Sequence, residues 1–469
     1  MFEKLSIKNF KSISDWQELK LAPITLIYGP NSSGKSSLIQ ALLLLQQTMI
    51  KPNRNGGLVT NGVNIKLGNF PVVVNKHNVN EDIELRLAYY SEKRNRKLVE
   101  KFDRSFEFSY SYCNGSNYNF SFLKKYRFNF EWEMNGKKKR LLNSFTSNLD
   151  ILNVNKLKKN EAINESLSFK YDGDYLFDGI INSKLDKAII KKMLTFPTYK
   201  STHNFAVPAS SELSFNIAPN SSIQIHPEQF QVTPMINSII IDVASDLKSK
   251  LESISYIGPL RKKIEKAYFI ENDFESSVGS EGDKIGYFLY AHEEYLREKI
   301  NEYFKEYGIP YELIVRKLGD ESTGPIISIL LKDLRTDTIV GPSDVGVGIS
   351  QILPVIVEGV IRENSTICVE QPEIHLHPKL QADLAEFFVD TCKNNQWIIE
   401  THSEALMLRL QKLLRMKDER IKPEDISIVY VNPTPNGSKL HHIRLNENGN
   451  FRDEWPAGFF DERIDEIFG

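Results

Sequence analysis

The sequence predicts an α/β fold with a β-rich N-terminal lobe and an inserted helical lid, and three patterns carry that prediction. Near the N-terminus the short apolar run ITLIYG ends at a glycine, passes through a Gly/Ser loop and enters SLIQALLLLQQ, a strand–loop–helix unit. From about 81 to 132, Tyr and Phe alternate with polar residues (IELRLAYY, FEFSYSY, YRFNFEWEM), as in an antiparallel sheet with one wet face. In the last third, strand and helix patterns alternate again, as layered α/β organisation requires.

Taken in order, MFEKLSIKNFKSI alternates like a strand and ITLIYG reads as a second, buried one. A helix follows from about Ser33 to Thr48 and fades into KPNRNGGLVTNG, a Gly, Asn and Pro-rich loop. NGSN and NGKK are hairpin connections within the aromatic sheet. From about 141 to 310 the pattern loosens into Asn- and Lys-rich stretches with helical segments, notably INSIIIDVASDLKSKLESI and KIGYFLYAHEEYLREKINEYFKEYG. PIISILLKDL then reads as a strand, QILPVIVEGVI as helix, STICVEQP as a buried strand, LQADLAEFFVDTCKN as helix and QWIIETHS as another strand. The expected division is 1–140 and 311–469 as two parts of one head, with 141–310 inserted between them.

Bulk composition excludes several classes. Hydrophobic residues make up 41% and charged residues 26%, so neither a disordered nor a fibrous chain is indicated. The three cysteines, Cys113, Cys368 and Cys392, include no Cys-x-x-Cys pair, which argues against a zinc site or a disulfide framework. No apolar run has the length of a signal peptide or a transmembrane helix, and a cytoplasmic protein without membrane contact is expected. Net charge is formally −2, so a nucleic-acid partner needs a local patch. Residues 91–160 offer one: sixteen Lys or Arg against seven acids, in KRNRK, KKYR, KKKR and KLKK, interleaved with Phe and Tyr. Such a surface would track phosphates in a salt-dependent way; the alternative is a solvated lysine-rich face.

The chemistry begins at Gly29-Pro30-Asn31-Ser32-Ser33-Gly34-Lys35-Ser36, which matches G-x-x-x-x-G-K-[ST] after a buried strand and before a helix. Gly29 and Gly34 let the backbone close around phosphate oxygens. The loop through Pro30, Asn31, Ser32 and Ser33, with the helix start at Ser37, presents donors and the positive end of a helix dipole. Lys35 adds a point charge for the β and γ phosphates, and Ser36 offers its hydroxyl to Mg²⁺. ATP and Mg²⁺ are the expected cofactors.

Three later segments narrow the class. Thr366 to Glu373 is an apolar strand ending in carboxylates, where Glu370 can hold Mg²⁺. Ser343-Asp344-Val345-Gly346-Val347-Gly348 opens a helix with glycines and a hydroxyl, and such a helix N-terminus suits an anion. Ile398 to Ser403 is a strand leading into His402. Each alone has an ordinary reading: a strand with an acidic turn, a glycine-containing helix entry, a structural histidine. Their order along the chain favours the functional one.

These motifs, with KLSIKNFKSI, the run Tyr256 to Arg261 and EQPEIHLHP followed by THS, resemble the OLD-like and RecF-like ABC ATPases, relatives of SMC proteins often found in antiphage defence. WPAGFFDERIDEIF resembles the tail of the same group. The resemblance implies an ABC-type P-loop NTPase head that forms a homodimer, with Ser343, Gly346 and Gly348 of one copy facing the ATP of the other and His402 reading the γ phosphate. It also implies a DNA-directed role in which nucleotide state controls an effector nuclease in trans, an HNH enzyme in Septu-like systems. A RecF-like or SMC-like DNA clamp without nuclease is the alternative. No TOPRIM nuclease pattern is read in the sequence.

One departure matters. Glu370 takes the metal position of the usual Asp-Glu pair, and Gln371 replaces the glutamate that polarises the attacking water. An amide cannot accept a proton, so hydrolysis should be slow or should recruit another base, with Glu373 nearest. His375 and His377 hint at a metal, but their spacing better fits a loop resembling the D-loop at the dimer interface.

Overall fold

The computed structural model describes residues 1–51, 57–95, 98–114, 119–134, 137–139, 142–149, 163–171, 198–201, 232–270, 274–319, 322 and 324–456. At its centre is a six-stranded sheet in the order Ile254–Ile257, Thr366–Glu370, Gln396–Glu400, Ile24–Tyr28, Ile426–Asn432 and Lys439–Ile443. The first five run parallel and the last is antiparallel. Every residue of Ile24–Tyr28, Thr366–Glu370 and Gln396–Glu400 is buried, as expected where a parallel sheet is covered on both faces.

Each face has its own core. Ile24, Leu26, Tyr28, Ile367, Val369 and Ile399 pack toward helices Val347–Ile361, Pro378–Thr391 and Glu404–Arg415. Ile27, Cys368, Ile398 and Val429 face the other way, toward helix Lys35–Ile50. That helix is buried on nearly all sides because LLLL leaves it no polar stripe, and the antiparallel lobe covers what the central sheet does not. Each fully buried leucine there contributes about 2 kcal/mol.

The antiparallel sheet realises the aromatic alternation read from the sequence. Its described strands run in the order Thr198–Ser201, Ile163–Tyr171, Leu142–Leu149, Asn119–Met134, Leu98–Asn114, Ile83–Asn95, Phe2–Lys8 and Gln17–Lys20. Asn114 pairs with Asn119 and Met134 with Lys137, so the strands on either side of NGSN and of NGKK are antiparallel partners. Phe106, Phe108, Tyr126 and Phe128 all point into the core.

The stretch 141–310 is more mixed than a helical insertion. Its described residues include three strands of the antiparallel sheet, helix Val232–Glu252, and helices Ile285–Ala291 and Glu293–Glu306. Ile254–Ile257 lies at the edge of the central sheet beside Thr366–Glu370. Four residues are too few to show a period, and the preceding amphipathic run masks them. A third sheet pairs Ile326–Asp333 with Ala267–Phe269, Tyr311–Leu318 and Thr338–Val340, and packs on Leu296, Ile300 and Phe304. Among the described residues no helix is long and apolar enough to cross a membrane.

Candidate nucleotide site

The glycine loop leaves the C-terminal end of Ile24–Tyr28, in the middle of the central sheet, where open α/β sheets bind ligands. Gly34 has φ +97°, and a Cβ there would lie 2.1 Å from Ser12 Oγ and 3.0 Å from Ser438 Oγ. Gly29 has φ +149°, and its Cβ would lie 2.6 Å from the Val431 carbonyl. No other residue fits these two positions without moving a wall. The walls are themselves tied: Ser438 Oγ donates to the Ser33 carbonyl at 2.6 Å, and its N–H donates to the Ser12 carbonyl at 2.8 Å. Asn31 and Ser32 are exposed, Pro30 and Ser36 half-buried, Ser33 and Ser37 buried.

Lys35 is only 4% exposed, and its ammonium donates to the carbonyls of Gly29 (3.0 Å) and Pro30 (2.9 Å). The lysine thus folds across its own loop, over the place a phosphate would occupy. Burial lowers its pKa, opposed by Glu400, Glu373 and Glu370.

Those glutamates are set by strand register. Glu370 and Glu400 end neighbouring parallel strands and stand directly opposite each other, and Glu400 is in turn opposite Ile27 of the loop's own strand. The Tyr256 hydroxyl donates to Glu370 Oε1 at 3.0 Å, while burial and then the Glu400 charge push the Glu370 carboxyl up to about 7. Burial also raises the Glu400 carboxyl, with Ser36 and Lys35 opposing it. Glu373 accepts from the His402 backbone N–H at 2.6 Å, and burial raises its pKa too. One oxygen each of Glu373 and Glu400 is buried without a hydrogen-bond partner. Ser36 and Glu370 are hard oxygen donors of the kind Mg²⁺ takes alongside nucleotide phosphates. Among the described residues no three His, Cys, Asp or Glu side chains form a ready metal cage.

The turn after Glu370 is held in an uncommon shape. Gln371 has φ +45°, its N–H donates to the Glu400 carbonyl at 2.7 Å, and Arg261 reaches in to the carbonyls of Glu370 (2.6 Å) and Gln371 (3.2 Å). Arg261 is itself buried, which lowers its pKa to about 10. At the next strand end, Tyr28 donates to the Ser403 carbonyl at 2.9 Å, and Ser403 caps helix Glu404–Arg415. His402 Nε2 is buried without a partner, and desolvation, with Lys35 adding to it, lowers the ring's pKa.

The structure therefore gathers Lys35, Ser36, Glu370, Glu373 and His402 at one sheet edge. Ser343 and Gly346 are exposed, with Gly346 capping helix Val347–Ile361. Gly348 approaches the His375 loop so closely that a Cβ would lie 3.1 Å from the His375 carbonyl. His377 spends its Nδ1 on the Lys379 N–H as a helix cap. Within the basic region, Lys124 pairs with Asp82 at 2.7 Å and Lys125 with Glu107 at 2.5 Å. The side chains of KRNRK, KKKR and KLKK lie outside the described residues. Sequence reasoning missed Glu400, although an acid at the end of QWIIE beside His402 was the available signal, and it gave Arg261 no role.

A glycine loop with a buried lysine at the carboxyl edge of a parallel sheet, facing strand-end glutamates, defines a P-loop nucleotide site on an ABC-type α/β head. The chain belongs to the AAA ATPase domain family, whose model matches residues 1–407. Residues 421–468 match a further family described as a protein of unknown function. No curated protein matches. Similar solved structures include an SMC head bound to the C-winged helix domain of ScpA (TM-score 0.41, 12% identity, covering 95% of this chain and 98% of that one). Others are the SMC head domain from Thermotoga maritima (0.36, 11%, 95% and 99%) and an SMC head with an extended coiled coil from Pyrococcus furiosus (0.39, 13%, 99% and 99%). Scores this low fix neither ligand nor partner for this chain.

Proposed function

We propose that the chain binds and slowly hydrolyses Mg²⁺–ATP, and that its nucleotide state regulates a DNA-directed antiphage system by controlling an effector nuclease in trans. The convergence of Lys35, Ser36, Glu370, Glu373 and His402 carries the catalytic part of this reading. Lys35 leaves its loop carbonyls to neutralise phosphate charge, and Ser36 and Glu370 hold the magnesium. The metal, when bound, offsets charge on the transferring phosphoryl group. Gln371 offers no proton acceptor, so the free oxygen of Glu373 takes the proton from the attacking water. The His402 N–H holds the other oxygen in place.

The exposed Ser343 and Gly346 are accessible to the nucleotide of a second copy, which suits a homodimer enclosing two ATP molecules. Purified protein should turn over ATP more slowly than about 10 s⁻¹, a typical enzyme rate. Q371E should accelerate turnover and E373Q should abolish it; a fast wild type, or E373Q with full activity, rejects the assigned base. Purification with the genomically neighbouring protein, an HNH-type nuclease on this reading, should give ATP-dependent DNA cleavage. ATP-dependent DNA holding without cleavage would instead favour a clamp. Neutralising Lys137, Lys138, Lys139 and Arg140 together should lower DNA affinity and flatten its salt dependence; unchanged binding removes the 91–160 surface from the account.

A further inference from the structure

Building on the proposed Mg²⁺–ATP site, we infer that Glu400 is a second protein carboxylate for the cation, so that the metal sits between the ends of two neighbouring strands rather than on one. Three observations meet at this residue. Strand register sets Glu400 directly beside Glu370 on the parallel pair Thr366–Glu370 and Gln396–Glu400, and the strand carrying Glu400 lies between that of Glu370 and that of the glycine loop. Ser36, whose hydroxyl is expected on the metal, lies close enough to Glu400 to oppose the rise in its pKa. Glu400 is 4% exposed, yet its Oε2 has no hydrogen-bond partner.

A buried carboxylate oxygen without a donor is costly, and two such groups side by side repel each other. Nearby cations answer only part of this charge. Lys35 is bonded to Gly29 and Pro30, and Arg261 spends its bonds on the carbonyls of Glu370 and Gln371. A divalent cation with oxygen ligands resolves the conflict, and magnesium is commonly held by one or two carboxylates together with phosphate oxygens. Without it, Glu370 and Glu400 would oppose the triphosphate. Nucleotide binding in this chain should therefore depend on the cation unusually steeply.

The test measures ATP affinity of the full chain with Mn²⁺ and with EDTA, taking the ratio of the two dissociation constants as the metal enhancement, with the Mn²⁺ electron paramagnetic resonance signal read in parallel. E400Q should bind metal-free ATP at least as tightly as wild type, which also shows that it is folded, while its metal enhancement falls at least tenfold and bound Mn²⁺ is lost. If E400Q does not fold, E400D, which keeps the charge but withdraws it by one methylene, should show the same fall. An unchanged enhancement in the folded variant overturns the inference, even if turnover is lost, since Glu400 would then be acting on water. Failure of wild type to bind any nucleotide would sink the ATP reading itself, a distinguishable result.

Discussion

Three glutamates buried around one lysine hold their protons more tightly than they would in water. For Glu370 the value rises from 4.5 to about 7. Between those values the folded chain binds more protons than the unfolded one, so this group's contribution to stability is present at low pH and is lost as pH rises through the window. E370Q removes the ionisation while its amide oxygen can still accept from Tyr256. The nucleotide-free variant should gain up to about 3 kcal/mol over wild type at pH 8 and almost nothing near pH 4.5. Thermal melts at the two pH values check this, and equal gains at both would contradict it. The loop that holds Gly29, Gly34, Lys35 and Ser36 was legible because its pattern is local, all four residues lying close together in sequence after one strand. Glu400 was not, because its meaning arises only when strand pairing sets it beside Glu370.

The same division holds for the elements. Helix Lys35–Ile50, the aromatic strands and the strands and helices between Ile326 and Glu400 carry their own periodicity and were readable alone, whereas Glu404–Arg415, Ile426–Asn432 and Lys439–Ile443 were not read. The strand Ile254–Ile257 carries none, and neither does the turn after Glu370, whose form depends on Arg261 arriving from the loop beyond that strand. Arg261 supplies two hydrogen bonds to a turn whose Gln371 sits at positive φ, a conformation that costs about 1 kcal/mol or more for such a residue. Replacing it by methionine keeps much of the volume and removes both bonds. R261M should lose about 2 kcal/mol or more in denaturant unfolding and should weaken Mg²⁺-dependent nucleotide binding together with it. A variant that lost stability but kept full metal-dependent binding would show that the turn needs no strap.

At the scale of the molecule, the site exists because the two ends of the chain share one sheet, with Ile24–Tyr28 between Gln396–Glu400 and Ile426–Asn432. The described C-terminal residues reinforce that union: Trp455 meets Tyr28, Tyr430 and Phe451 edge-on at 5.8, 6.0 and 5.3 Å. Tyr28 in turn holds Ser403, next to His402. W455A should therefore cost about 2 kcal/mol in stability and also reduce nucleotide affinity, checked by parallel melts and titrations. Loss of stability alone would confine Trp455 to packing.

The convergence of Lys35 and Glu370 on one nucleotide is measured most directly by a double-mutant cycle of K35A and E370Q on Mg²⁺–ATP affinity, read by calorimetry on the full chain. If both side chains serve a single bound nucleotide, each substitution weakens binding and their effects are strongly non-additive. Independent, additive effects, or an E370Q variant that binds Mg²⁺–ATP like wild type, would contradict the account.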